Sequence, residues 1–121
     1  MNIAVMRGAL SSAPSRRTLP SGACVVSLEM MTEGVDGGRA SVPVAWYDPP
    51  SEVDLAPGDA VVVVGSVRRR FFRVGAVTQS RTEVVAEVVL AAGDRRRVRL
   101  ALQRCAERIG DEPGHAVRSR K

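Results

Sequence analysis

Residues 61–72 read VVVVGSVRRRFF, and the rest of the chain is arranged around them. The β-branched start has the composition of a buried strand. Side chains of a strand alternate between its faces. One parity holds Val61, Val63, Gly65, Val67, Arg69 and Phe71. The other holds Val62, Val64, Ser66, Arg68, Arg70 and Phe72. The second row turns from aliphatic to Arg-x-Arg-x-Phe, which suits an unpaired polynucleotide: guanidinium for phosphate, ring for base. A solvated strand end carrying a charge run is the competing reading. Phe71, of opposite parity to Phe72, is expected in the core.

Upstream, residues 2–10 (NIAVMRGAL) read as a first strand, with Gly8 as a bend or close backbone approach. Residues 11–17 are polar, and Leu19-Pro20-Ser21-Gly22 signals a turn. Residues 23–32 form a second strand with Val26, Leu28 and Met30 on one face. A glycine-rich loop at 33–39 leads to a third strand at 40–48. There Val42, Val44 and Trp46 point inward and Tyr47 outward, and Pro43 implies an edge or bulge. Ser51 with Asp54 suggests one helical turn in the connector, and Pro57-Gly58 turns the chain into the fourth strand.

Downstream, Val74-Gly75-Ala76 is the tip of a hairpin that returns as a fifth strand over residues 79–90. Strict alternation would put Val84, Ala86, Val88 and Leu90 on one face. Asp94 caps a helix that Gly110 ends, with Val98, Ala101 or Leu102, Cys105 and Ile109 on its apolar stripe. Five closely spaced strands without a βαβ rhythm predict an all-β fold: a five-stranded Greek-key OB-fold barrel with a C-terminal α-helix. The expected organisation is a barrel domain over 1–91, a basic amphipathic helix over 92–110 and a disordered basic tail over 111–121.

A chain of 121 residues supports one domain with a modest core. Residues 1–90 carry nine arginines against nine carboxylates, so the whole +5 comes from residues 91–121. Arginine supplies 17 of 18 basic residues, a compositional bias that weakens the meaning of any single one. Cys24 and Cys105 lie far apart, outside any C-x-x-C arrangement, and read as reduced thiols. The single histidine, His115, falls in the expected tail. No nucleophile–base or carboxylate–metal spacing stands out, and Gly34, Gly37 and Gly38 do not bridge a strand to a helix. The expectation is therefore a binding protein and not an enzyme, without cofactor or metal. No apolar run reaches bilayer length and no signal-peptide layout opens the chain, so it is expected in the cytoplasm, associated with the nucleoid.

The motifs, in order, resemble the bacterial single-stranded-DNA-binding protein family. The similar pieces are NIAVMRGALSSAPSRRTLPSG, VPVAWYDPP, GDAVVVVGSVRRRFF and Arg81-Thr82-Glu83-Val84-Val85, together covering residues 2 to about 90. The resemblance implies a short, divergent paralogue that binds single-stranded DNA without sequence preference, in replication, recombination or repair. It implies base stacking on Tyr47 and Phe72 and phosphate contacts from Arg68, Arg70 and Arg17, with Arg73 and Arg81 added from the same hairpin. A family aromatic falls on Ser41, which cannot stack, so weaker binding per barrel is expected. The family's acidic C-terminal tip is replaced by Arg-Ser-Arg-Lys, so recruitment of other proteins by that route is not expected. A homodimer or homotetramer is expected, with the first strand or the outer valines pairing across it. RNA stays open as a ligand beside DNA. The rival function is an OB-fold protein-interaction or regulatory module with residual nucleic-acid binding.

Overall fold

The computed structural model describes residues 1–111. It is mostly β, with a six-stranded sheet and one C-terminal helix. The strands are β1 (Ala4–Leu10), β2 (Ser15–Thr18), β3 (Cys24–Glu33), β4 (Arg39–Tyr47), β5 (Ala60–Val74) and β6 (Val77–Ala91). The helix α1 spans Arg95–Asp111, running one residue past the expected glycine stop. The remainder of the expected 111–121 tail, His115 included, lies outside the described residues.

The strand order is β1-β5-β6-β4-β3-β2, and β1 also pairs with β3. All pairings are antiparallel except β4–β6, which is parallel. β1 lies along β5 from Ala4 to Ala9 and meets β3 only at Ala9 and Leu10. Gly8 makes that crossing possible: a Cβ there would stand 2.4 Å from the Met31 carbonyl oxygen. Asn2 lengthens the β1–β5 ladder with its side chain. Its Nδ2 donates to the Val67 carbonyl (2.6 Å) and its Oδ1 accepts from the Val67 N–H (3.0 Å).

The core is Leu10, Val26, Leu28, Met30, Val44, Val61, Val63, Val84 and Ala86, with Trp46 packed against it. For β3, β4 and β5 these are the inward parities expected from the sequence. β6 departs from strict alternation. Val64 pairs with Val88 but Gly65 pairs with Ala86, so Glu87 is an extra residue, a β-bulge. Beyond it the faces swap. Val89 packs on the core, whereas Val88 and Leu90 turn outward against Ala101 of α1. Gly65 sits at the bulge because a Cβ there would lie 2.0 Å from the Val85 carbonyl oxygen.

Several expectations need correcting. β2 is a sixth strand where a polar loop was expected; all four of its residues are exposed. No helical turn forms at Ser51, because Val53 and Leu55 both pack on the core and alternate residues can do so only in an extended chain. Arg16 holds that segment by donating to the carbonyls of Pro50 and Ser51, each at 3.3 Å. Phe71 is 65 % exposed rather than interior, because the β5–β6 hairpin runs beyond the core from Arg69 to Ser80. The outer valines Val62 and Val64 are 5 % and 4 % exposed. Ala101 and Cys105 of α1 face Val64, so these valines offer no free surface for a second copy.

Asp94 caps α1, its Oδ1 accepting from the Arg97 N–H at 3.3 Å. Of the expected stripe, Cys105 is buried and Val98 and Ala101 are half-buried, while Leu102 and Ile109 are exposed. Neither cysteine is in a disulfide among the described residues. No helix among them is long and apolar enough to cross a membrane.

Candidate nucleic-acid interface

The outer sheet face beyond α1 gathers side chains from five strands. β2 supplies Arg17, β3 Glu29, β4 Tyr47, β5 Arg70, and β6 both Arg81 and Glu83. Together they line a shallow hollow of about 60 Å³. That is room for roughly two waters, so a base could lie across it but not enter it.

Register places each group. Arg17 stands opposite Val25, and Val25 opposite Tyr47. Arg68 stands opposite Glu83, and Arg70 opposite Arg81. Tyr47 ends β4, where Asp48 takes a left-handed conformation (φ 47°) that aspartate tolerates better than most residues. Asp48 then exchanges hydrogen bonds with Cys24, its N–H donating (2.7 Å) and its Oδ1 accepting (3.1 Å). This pins the strand end and the ring beside it.

Glu83 is the floor of the site, only 5 % exposed. Its carboxylate accepts a hydrogen bond from Arg68 and lies 3.9 Å from Arg70. Arg68 also donates to the Tyr47 hydroxyl (2.9 Å), with its guanidinium carbon 5.5 Å from the ring centroid. The bond to Tyr47, followed by that to Glu83, raises the Arg68 pKa above its ordinary value despite burial. Nε of Arg68 is buried with no partner among the described residues. At the other edge, Arg81 pairs with Glu29 at 3.0 Å, and Ser41 donates to the same carboxylate at 3.3 Å.

The structure therefore brings Arg17, Tyr47, Arg68, Arg70 and Arg81 together. Phe72 shares the parity of Arg70 and lies farther along the projecting hairpin, 37 % exposed. Arg73 does not join them. It shares the opposite parity with Arg69 and Phe71, which form their own contact at 5.6 Å. Sequence reasoning missed Glu83 and Glu29 as internal partners of the arginines. The only signal for Glu83 was its distance from Arg68 around the hairpin, which fixes their pairing once the Gly75-Ala76 turn is placed. The four arginines of the face meet two carboxylates, leaving a surplus of two positive charges.

Among the described residues no cluster of His, Cys, Asp and Glu could hold a metal ion. No family model matches this chain, and no curated protein matches it.

Proposed function

We propose that the chain binds single-stranded nucleic acid, DNA first, on the outer face of an OB-fold barrel, as a short, divergent paralogue of the bacterial single-stranded-DNA-binding family. The pairing circuit β1–β5–β6–β4–β3–β1 supports the barrel, since it returns to the strand where it began. The observation that carries the function is the meeting of Arg17, Tyr47, Arg70 and Arg81, from four strands, at one hollow with uncancelled positive charge.

The mechanism is binding only. A base stacks on Tyr47 and another on Phe72, about 7 Å beyond Arg70 along the same face. Each stack is worth about 1–3 kcal/mol and tolerates any base. Arginines neutralise phosphates and release counterions, so log K falls with log salt by about 0.7 per phosphate. Replication, recombination and repair all expose such strands. On the edge away from β5, among the described residues only Ala9 and Leu10 of β1 are paired. The backbone of Ala4–Arg7 can therefore pair with a second copy, making a homodimer or homotetramer.

Fluorescence anisotropy of labelled oligo-dT tests this. Tyr47→Ala with Phe72→Ala should weaken binding by roughly 25-fold or more, from two stacks at the low end of that range. Unchanged affinity would remove the face from nucleic-acid binding. No binding by any form, wild type included, would favour a protein-interaction module instead.

A further inference from the structure

The arginines expected to meet a polynucleotide are partly spent within the protein: Arg68 and Arg70 on Glu83, Arg81 on Glu29. A second set is not. The side chains of Arg7, Arg95, Arg96, Arg99 and Arg104 make no ion pair or hydrogen bond among the described residues. Three of them, Arg7 from β1 and Arg95 and Arg99 from α1, ring one open concavity of about 360 Å³. Ala92, Gly93, Val98 and Leu102 complete its lining, and no carboxylate takes part.

Convergence of three guanidinium groups without a counter-charge is repulsive. Arg95, Arg96 and Arg97 add to the repulsion, because the first turn of a helix already carries the positive end of its dipole. Asp94, next to Arg95 in the chain, caps the helix and lies 3.9 Å from Arg97. An anion with several evenly spaced charges is complementary to this arrangement. The aliphatic lining of Val98 and Leu102 suits the sugars and base faces between phosphates better than a small, fully hydrated ion.

We propose that Arg7, Arg95 and Arg99 form a second binding site, for the phosphodiester backbone of nucleic acid. Arg7 stands opposite Val62 and Glu83 opposite Arg68. Six residues of β5 separate the two places, about 20 Å along the strand. A long strand engaged at the Tyr47 face can reach this site; a short one cannot. The proposal rests on the single-strand reading of that face, and the experiment separates the two.

Oligo-dT anisotropy is measured across a salt series with oligonucleotides of about 3 and about 20 nucleotides, one below and one above the site sizes of OB folds. The proteins are wild type, Tyr47→Ala, the triple variant Arg7→Ser/Arg95→Ser/Arg99→Ser, and the same three positions as lysine. All three arginines are exposed, and circular dichroism checks the fold. The triple serine variant should lower the salt slope by about 2 for the long oligonucleotide and leave the short one unchanged, three contacts at about 0.7 each. The lysine variant should restore the slope. An unchanged slope in the serine variant, with binding lost in Tyr47→Ala, overturns the second site and leaves the first. Loss in the serine variant with none in Tyr47→Ala keeps the arginine site and overturns the Tyr47 face. Anionic phosphatidylserine vesicles that bind wild type while oligo-dT does not overturn the nucleic-acid assignment.

Discussion

Glu83→Gln separates what the buried carboxylate does for folding from what it does to binding. Glu83 is 5 % exposed and holds Arg68 by a hydrogen bond, with Arg70 at 3.9 Å. Removing one partner of a fully buried ion pair costs about 3–5 kcal/mol. Here 38 % of the Arg68 side chain is open to solvent, so water recovers part of that loss. The expected destabilisation is therefore about 1–3 kcal/mol, the range for a charged hydrogen bond lost at a partly buried site. With a urea m-value of about 1–3 kcal/mol/M, the midpoint should fall by roughly 1 M. Binding should move the other way. The surplus charge of the face rises from two to three, and Arg68 and Arg70 are released toward phosphate. The salt slope for oligo-dT should steepen by about 0.7–1.4, for one or two further phosphates. A destabilised variant with an unchanged salt slope would show that these guanidinium groups do not meet phosphate. An unchanged urea midpoint would show that Glu83 does not anchor them. Neither effect should vary with pH near neutrality through Arg68. Its raised pKa contributes stability that is fully present below the ordinary arginine value and lost only as pH rises beyond it.

Gly65→Ala should be the most disruptive glycine-to-alanine change among the described residues, since the new Cβ would meet backbone 2.0 Å away at the Val85 carbonyl. A loss of about 3 kcal/mol or more by urea denaturation is expected, and a loss below about 1 kcal/mol would contradict the close approach at the bulge. Leu28→Ala, at a core position 1 % exposed, should cost about 2–5 kcal/mol in the same assay. Asn2→Ala removes both bonds to Val67 and should cost about 1–2 kcal/mol, with faster amide exchange at Val67. Asp94→Ala should cost about 1 kcal/mol, read as lost helical ellipticity at intermediate urea.

The inward rows of β3, β4 and β5 were legible because period two is strict wherever one face meets a core. The outer-face position of Tyr47, which is half-buried, followed from the same count. β2 was not legible: Ser15, Arg16, Arg17 and Thr18 carry no apolar alternation, and their strand exists because β3 offers an unpaired edge. Phe71 was misplaced because parity gives a face and not a depth; past Val67 the inward row has left the core. Arg73 was counted because it lies on the same hairpin, although adjacent residues of a regularly paired strand point to opposite faces. Glu83 lies on the face opposite Val84 and Ala86, as alternation requires, yet it is buried. The arginines above it cover it, and a local pattern cannot show cover supplied by a neighbouring strand.

The bulge at Glu87 is what lets one long hairpin serve two purposes. With unbroken alternation, β6 would turn Glu87 and Val89 outward where α1 lies and keep Val88 and Leu90 within. The extra residue reverses that half of the strand. Val88 and Leu90 then join Val62 and Val64 in an apolar outer strip that α1 covers with Ala101 and Cys105. Glu87 itself accepts a hydrogen bond from Arg108 of the helix at 2.9 Å. Below the bulge the original parity holds, so Glu83 and Arg81 remain on the outer face beside Arg68 and Arg70. One inserted residue thus divides the outer face of β5 and β6 into a half that seats the helix and a half left open for a ligand. Gly65 is the only residue type that β5 can place at the dividing point without moving the Val85 backbone. Moving the bulge two residues toward the Gly75-Ala76 turn would carry the reversal toward the open half, turning Ala86 outward and Glu87 toward the core, so its position in the sequence fixes where the helix stops and the exposed arginines begin.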